Sequence, residues 1–303
     1  MAKDYYKEFA RKIIALIRAG TAPWMKPWAP GEQVTPMNVD TANAYRGGNS
    51  LHLAAVQQEQ GFGDVRWGTY RQIQKRGGQV LKGQRGTRIL SFQDKKRIPV
   101  RDKFGRKVTD ANGKQVYRYE KLKAPFMRQY SVFNAEQADG LDPIENATPP
   151  ALWEVHRDTE ALIEAVGVPV RHVAGDIAYY HLKRDEIVLP EREQFPNATH
   201  YYQTALHELG HSTGHPDRMD RETLTKGIEE GFGSQTYARE ELRAELAAMM
   251  TGEQVGIGHD PARGAAYIEG WIQALEEDPR EITRAAADAQ KITTYILARR
   301  EAN

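Results

Sequence analysis

Residues 207–211 read His207-Glu208-Leu209-Gly210-His211, and this short run decides how the second half of the chain is read. Two imidazoles four residues apart lie on one face of an α-helix, so both can reach one ion. That pairing is what zinc takes, and a catalytic site keeps one position open for water. The ion lowers the pKa of its water towards roughly 7, and Glu208 beside it is placed to take the proton as that water attacks a carbonyl. The flanks agree with a helix over residues 201–213: Ala205, Leu206 and Leu209 are apolar, and Asn197-Ala198-Thr199 offers an N-terminal cap.

Such a site needs a third protein ligand. His215 follows too closely for a standard spacing. Asp217 falls where the pattern His207-x-x-x-His211-x-x-Gly214 often places a further histidine, and Gly214 permits the turn. Glu241 is the preferred third ligand. Glu241-Leu242-Arg243-Ala244-Glu245 reads as helix with both carboxylates on one face. Glu241 then closes the metal shell while Glu245 holds a ligand histidine by its other ring nitrogen. Glu240 reads as part of a solvated acidic face. His172, His181 and His200 lack partner spacing, and Tyr201, Tyr202 and Tyr237 read as packing rather than as oxyanion donors.

Around this motif the second half alternates strands and helices. Helices are predicted near 158–166, 237–251, 262–276 and 280–300, and strands at 168–170, 177–180 and 187–189. The last of these is a candidate edge strand for an extended peptide. Trp271, Leu275, Ile292 and Ile296 recur at helical spacing and read as core.

Composition supplies the second clue. The 303 residues are 40% hydrophobic and 27% charged, which excludes a disordered chain. The absence of cysteine excludes disulfides, a thiol nucleophile and cysteine zinc knuckles. The longest apolar run, Ile13–Ile17 between Lys12 and Arg18, cannot span a membrane or serve as a signal core, so a cytoplasmic location is expected. The net charge of +1 hides an asymmetry: residues 1–140 hold 26 Lys+Arg against 12 Asp+Glu, residues 141–303 hold 16 against 29. A basic module that meets a polyanion is thus joined to an acidic one. The boundary is placed at the Pro- and Asn-rich stretch 141–150, giving domains 1–140 and 151–303 and an α+β fold class for the whole.

In the basic half, helices are predicted near 4–19 and 50–60, the latter capped by Ser50, and a third begins at Thr69 in capping-box form. Val80-Leu81 and Arg88–Phe92 read as a hairpin around Gly83-Gln84-Arg85-Gly86. Residues 94–123 read as an exposed basic excursion. No fixed-period repeat is visible. Single strands are held by positive grooves lined with aromatic faces, and Trp24, Trp28, Tyr45 and Trp67 interleave with Lys26, Arg46, Arg66 and Arg71. Lys82 and Arg85 add phosphate contacts. No zinc finger, RNP motif or P-loop is present, so sequence-specific readout is not supported.

Two sets of residues carry a resemblance. Thr21-Ala22-Pro23-Trp24-x-x-Pro27-Trp28, Asn43-x-Tyr45-Arg46-Gly47-x-Asn49 and Arg66-Trp67-x-Thr69-Tyr70-x-Gln72 resemble the N-terminal domain of the ArdC family of plasmid antirestriction proteins, a domain shared with TraC-type primases. Tyr202-x-Thr204-x-x-His207-Glu208-Leu209-Gly210-His211 and Tyr237-Ala238-x-Glu240-Glu241-Leu242-x-Ala244-Glu245 resemble the zincin-like domain that follows it. The resemblance implies a protein of mobile DNA that binds single-stranded DNA and shields it from restriction. It also implies a Glu-ligand zincin, which favours Glu241 over Asp217. Zinc is the expected ion, with another divalent metal such as Mn2+ as the alternative, and host restriction proteins are candidate substrates. Two other readings stand beside this one: a protection protein with a structural metal, and a metallopeptidase whose basic half recruits host proteins.

Overall fold

A computed structural model gives the architecture, describing residues 2–144, 152–259 and 267–301. Most of the expected boundary, residues 145–150, lies outside the described residues, as does the start of the helix predicted at 262–276. The first half contains α1 (Ala2–Arg18), β1 (Met37–Asn38), α2 (Gly47–Gln60), β2 (Arg66–Gly68), α3 (Tyr70–Lys75), β3 (Gln79–Val80), β4 (Thr87–Pro99), β5 (Tyr117–Asn134) and β6 (Ala138–Asp139). A sheet runs in the order β1-β2-β5-β4, parallel between β1 and β2 and antiparallel elsewhere. Leu53 and Val56 of α2 pack on Trp67, Ile89 and Val132 to form a small core beneath it.

Several local expectations need correction. α2 begins at Gly47, ahead of Ser50, with extended Arg46 as its N-cap. A Cβ at Gly48 would come within 2.9 Å of Thr283 Cγ2, so the early start lets the helix end lie against the C-terminal helix. α3 starts as read, with the Thr69–Gln72 capping box formed. No hairpin joins β3 to β4: β3 pairs with β6, and β4 pairs with β5. The basic excursion is regular structure, because β4 and β5 stay paired from Thr87↔Val132 out to Pro99↔Tyr117.

The tip of that ribbon holds an eight-residue repeat, which corrects the reading that no fixed period is present. Val100, Asp102 and Gly105 recur eight residues on as Val108, Asp110 and Gly113, and Val116 closes the series. Each Asp Oδ1 accepts two backbone N–H bonds, from Phe104 and Arg106 in one unit and from Asn112 and Lys114 in the other. Gly105 and Gly113 take the left-handed φ of +79° and +74° that closes each turn. Val100, Val108 and Val116 bond N–H to C=O in a ring, and the Gln115 amide lies 2.9–3.0 Å from all three carbonyl oxygens. The tip is thereby fixed by hydrogen bonds with little apolar core.

The second half adds α4 (Leu152–Val166), β7 (Val170–Val173), β8 (Tyr179–His181), β9 (Glu186–Pro190), α5 (Ala198–Ser212), α6 (Glu222–Glu230), α7 (Gln235–Val255), α8 (Ile268–Glu277) and α9 (Glu281–Glu301). Its sheet has the order β7-β9-β8. β9 is therefore central, and the free edge beside the cleft belongs to β8, which corrects the edge-strand expectation for 187–189. Asn197 caps α5 through Oδ1, accepting from the His200 N–H. α7 lies almost wholly inside, packed between α5 and α9.

The two halves share one core. Phe9, Ile13 and Ile17 of α1 and Leu51 of α2 are buried in the same cluster as Leu246, Trp271 and Ile292. Each such side chain contributes about 1.5–3 kcal/mol relative to leaving it exposed. Trp24 meets Trp271 edge-on at 6.2 Å, and Trp28 stacks on His259 at 4.4 Å. Trp28 and His259 also exchange backbone hydrogen bonds, while His259 Nε2 lies 2.7 Å from the Trp24 carbonyl oxygen. No helix among the described residues is long and apolar enough to cross a membrane.

Candidate metal centre and nucleic-acid surface

α5 and α7 cross with only a glycine and an alanine between their backbones: a Cβ on Gly210 would lie 3.5 Å from Ala244 Cα. That approach brings the His207/His211 face of one helix against the Glu241/Glu245 face of the other. The two Nε2 atoms lie 3.1 Å apart, and the Glu241 carboxylate reaches them at 3.4 Å from His207 and 3.2 Å from His211. All three donors fall within 4.8 Å of one another. This is a volume that a divalent cation fits.

Each imidazole is held from behind. His207 Nδ1 lies 3.2 Å from Glu245 Oε2, and His211 Nδ1 lies 3.2 Å from Glu240 Oε1. A carboxylate on Nδ1 holds a proton there, so Nε2 is the nitrogen that turns a lone pair inward when an ion displaces its own proton. The expectation that Glu240 is solvated is therefore overturned. It is fully buried, with Arg221 donating to both its oxygens and Thr223 Oγ1 donating at 2.6 Å. Arg221 also donates to the carbonyl of Gly210 and to Thr213 Oγ1. It thus ties the end of α5, the start of α6 and α7 together. Asp217 does not reach the site: its side chain is 89% exposed and faces His215.

The electrostatics favour a cation. Burial alone would lower both imidazole pKa values, but the carboxylates outweigh it. His207 is lifted well above the ordinary histidine value by Glu241 and Glu245, and His211 to about 9 by Glu241 and Glu240. Burial would raise the Glu241 pKa, yet the two histidines hold it well below the usual carboxylate range.

The centre lies in a cleft of about 760 Å³. One wall is β8, the other the apolar face of α6 with Leu224 and Ile228, and Glu208 lies within it. Besides Tyr179 and Tyr180 of β8, Tyr237 and Tyr267 line the interior. Burial and the Glu241 charge push the Tyr237 hydroxyl far above its ordinary pKa and that of Tyr267 up to about 12, so both are neutral donors. Tyr237 thus faces the site, while Tyr201 and Tyr202 are tied to His172 and Glu160. Sequence reasoning missed Tyr267 and Arg221, for which no local signal exists.

The residues expected to meet DNA are placed differently from one another. Trp24 and Trp67 are completely buried, so neither ring can stack on a base; this corrects both assignments. Interleaving with basic residues looks the same in sequence whether a ring faces solvent or core. Trp28 is half-buried against His259, Tyr45 Oη lies 3.2 Å from Asn38 Nδ2, and Arg66 makes a bidentate pair with Asp64 through Nε to Oδ1 and a terminal nitrogen to Oδ2. Lys26, Arg46, Arg71, Lys82 and Arg85 are exposed.

A helix bearing paired histidines, a glutamate from a following helix and a small mixed sheet define a zincin-like protein. The family model described as zincin-like metallopeptidase matches residues 157–288, and that of the N-terminal domain of anti-restriction factor ArdC matches residues 3–133. The antirestriction ArdC protein of plasmid R388 has been solved metal-free and Mn(II)-bound. Its metal-free structure has a TM-score of 0.73 and 32% identity, covering 99% of this chain and 98% of that one; the Mn(II)-bound structure has the same TM-score at 30% identity. The chain belongs to the ArdC family of antirestriction proteins. It is also 45% identical over 298 residues to an Escherichia coli DNA primase TraC, and 35% identical to the uncharacterized protein y4eC of Sinorhizobium fredii, of which it covers 92%. It spans only 20–27% of the length of the two TraC primases it matches.

Proposed function

We propose that this chain protects entering DNA by binding single strands through its basic first half, and that its second half is a metal-dependent peptide hydrolase. The observation that carries the second part is the convergence of His207 Nε2, His211 Nε2 and Glu241, with both Nδ1 atoms backed by carboxylates. Two histidines and a glutamate suit zinc, and the Mn(II)-bound R388 relative supports a wider divalent choice. These three residues would hold the ion, which supplies Lewis-acid polarisation and acidified water. Glu208 takes and returns a proton at its carboxylate. Tyr237 and Tyr267 donate hydrogen bonds to negative charge that develops in the cleft. The free edge of β8 offers backbone pairing to an extended peptide, and the apolar wall of α6 receives a side chain.

The test is cleavage of unfolded protein substrates by the metal-loaded chain, with chelator and Glu208→Gln as controls. Glu208→Gln is expected to retain the ion and fold while losing cleavage. Protection of entering DNA is expected to survive in that variant, since covering a strand needs occupancy alone. A loaded parent that cleaves nothing would leave the metal a structural role. Protection lost in Glu208→Gln, with DNA affinity intact, would make hydrolysis part of antirestriction.

A further inference from the structure

The basic excess of the first half is concentrated in one element. Residues 87–134 hold 13 Lys+Arg against four Asp+Glu, whereas the rest of residues 1–140 holds 13 against eight. Outside the ribbon, many of those cations are already paired: Lys12 with Glu59, Arg18 with Glu276, Arg66 with Asp64, and Lys75 and Arg76 with Asp40.

The two faces of the outer ribbon differ. Cross-strand partners and alternate residues share a face. Register therefore places Lys95, Arg97 and Pro99 with Lys121, Tyr119 and Tyr117, and puts Lys96 and Ile98 with Glu120 and Arg118 on the other side. Glu120 is bonded to both Lys96 and Arg118. The first face has no acidic residue, and no carboxylate among the described residues pairs with Lys95, Arg97 or Lys121. Arg97 lies 3.5 Å over the Tyr117 ring, leaving Tyr119 67% exposed. At the tip Phe104 is 68% exposed, with Lys103 and Arg106 each 5.0 Å from its ring centre. Lysines on an edge strand also discourage unwanted pairing. That role gives no reason to hold large aromatic rings in water.

We propose that this ribbon, rather than the Trp24/Trp67 region, is the surface that takes single-stranded nucleic acid: phosphates lie along Lys95, Arg97 and Lys121, and unpaired bases stack on Tyr119 and Phe104. The inference rests on the single-strand reading above and gives it a location. An exposed ring beside a cation is what a strand without partners can use, because every base has a π-face and every linkage a charge. A duplex hides those faces, so it gains only the charge.

The experiment uses the full chain and fluorescence anisotropy with a single-stranded DNA oligonucleotide, its abasic counterpart, a duplex and a single-stranded RNA of equal length. The parent is expected to prefer the natural DNA strand to the abasic strand by about fivefold or more, the scale of one stacked base. It should bind RNA comparably and the duplex more weakly. The combined variant Lys95→Ser, Arg97→Ser, Lys121→Ser is expected to lose at least about tenfold in affinity, with the salt slope reduced by about two, at roughly 0.7 per phosphate contact. Tyr119→Ala with Phe104→Ala should abolish the preference over the abasic strand while leaving the salt slope unchanged. Lys96→Ser on the opposite face should change affinity less than about threefold, since Glu120 already neutralises that lysine. Ribbon variants that melt like the parent and bind with its affinity and slope would overturn the location while leaving the single-strand reading intact. A parent that binds neither strand would overturn the reading itself. Equal loss from both faces, or tighter duplex binding, would overturn the assignment of face and stacking.

Discussion

The cleft and the ribbon use charge in opposite ways. Behind the metal centre, Glu240 is fully buried and bonded to His211, Arg221 and Thr223, which fixes its geometry. On the ribbon, Lys95, Arg97 and Lys121 stand in solvent on a two-stranded support. Buried, mutually satisfied charges hold an ion to within a fraction of an ångström, at the cost of desolvating every member. Exposed charges contribute little to folding but remain available to a partner whose contour they need not match closely. One region is built for position, the other for reach.

The contrast breaks most visibly at the metal. His207→Ala or His211→Ala is expected to take the bound ion from about one per chain to none by elemental analysis, because two donors cannot retain it. Glu241→Ala should weaken it at least about tenfold, and Asp217→Ala should leave it unchanged. Metal-induced thermal stabilisation should disappear with the ion. If Asp217→Ala releases the ion and Glu241→Ala does not, the third-ligand assignment fails.

A smaller effect separates the buried pair from an exposed one. Arg221→Met leaves Glu240 as a buried charge facing a thioether, and urea unfolding should show a loss of about 3–5 kcal/mol. Glu120→Gln, which breaks two ion pairs on the ribbon, should cost below about 1 kcal/mol in the same assay. Equal costs would remove the distinction between the two regions.

The smallest effect concerns an ion pair that bonds Tyr180 of the cleft wall. Arg218 donates to Asp185 and holds its pKa at about 2, below the ordinary 3.8, with Tyr180 Oη also donating at 2.7 Å. A depressed carboxylate contributes stability above its unfolded pKa and loses it as pH falls, here between 3.8 and about 2. With screening at this partly exposed group, the contribution is about 1 kcal/mol. Asp185→Asn should therefore lower stability at neutral pH and flatten that acid limb. An unchanged limb would assign it to other carboxylates.

Much of the cleft was legible because its chemistry is periodic. Histidines four apart and glutamates four apart each define a helix face, and two such faces leave few ways to pack. What sequence could not disclose was whatever depends on a distant partner. Nothing local to Glu240 announces Arg221 across 19 residues, so its carboxylate reads as one more surface charge. The ribbon escaped for a different reason: with Lys and Arg on both faces it lacks the apolar alternation that marks a half-buried strand. Trp24 and Trp67 misled because aromatic rings among basic residues are consistent with either side of the surface, and only tertiary packing chooses.

The stacking of Trp28 on His259, together with the common core of α1, α2, α8 and α9, bears on how this unit is inherited. A recombination event between residues 140 and 152 would strip α1 and α2 from their apolar support and leave each product with half an interior. Such chimaeras would be removed by proteolysis before any DNA or peptide could select them. Crossovers that keep the two halves together escape that filter. The TraC primases are about four to five times as long as this chain, yet match it across 98% of its length. The whole unit, not either half alone, is what recurs within those longer chains.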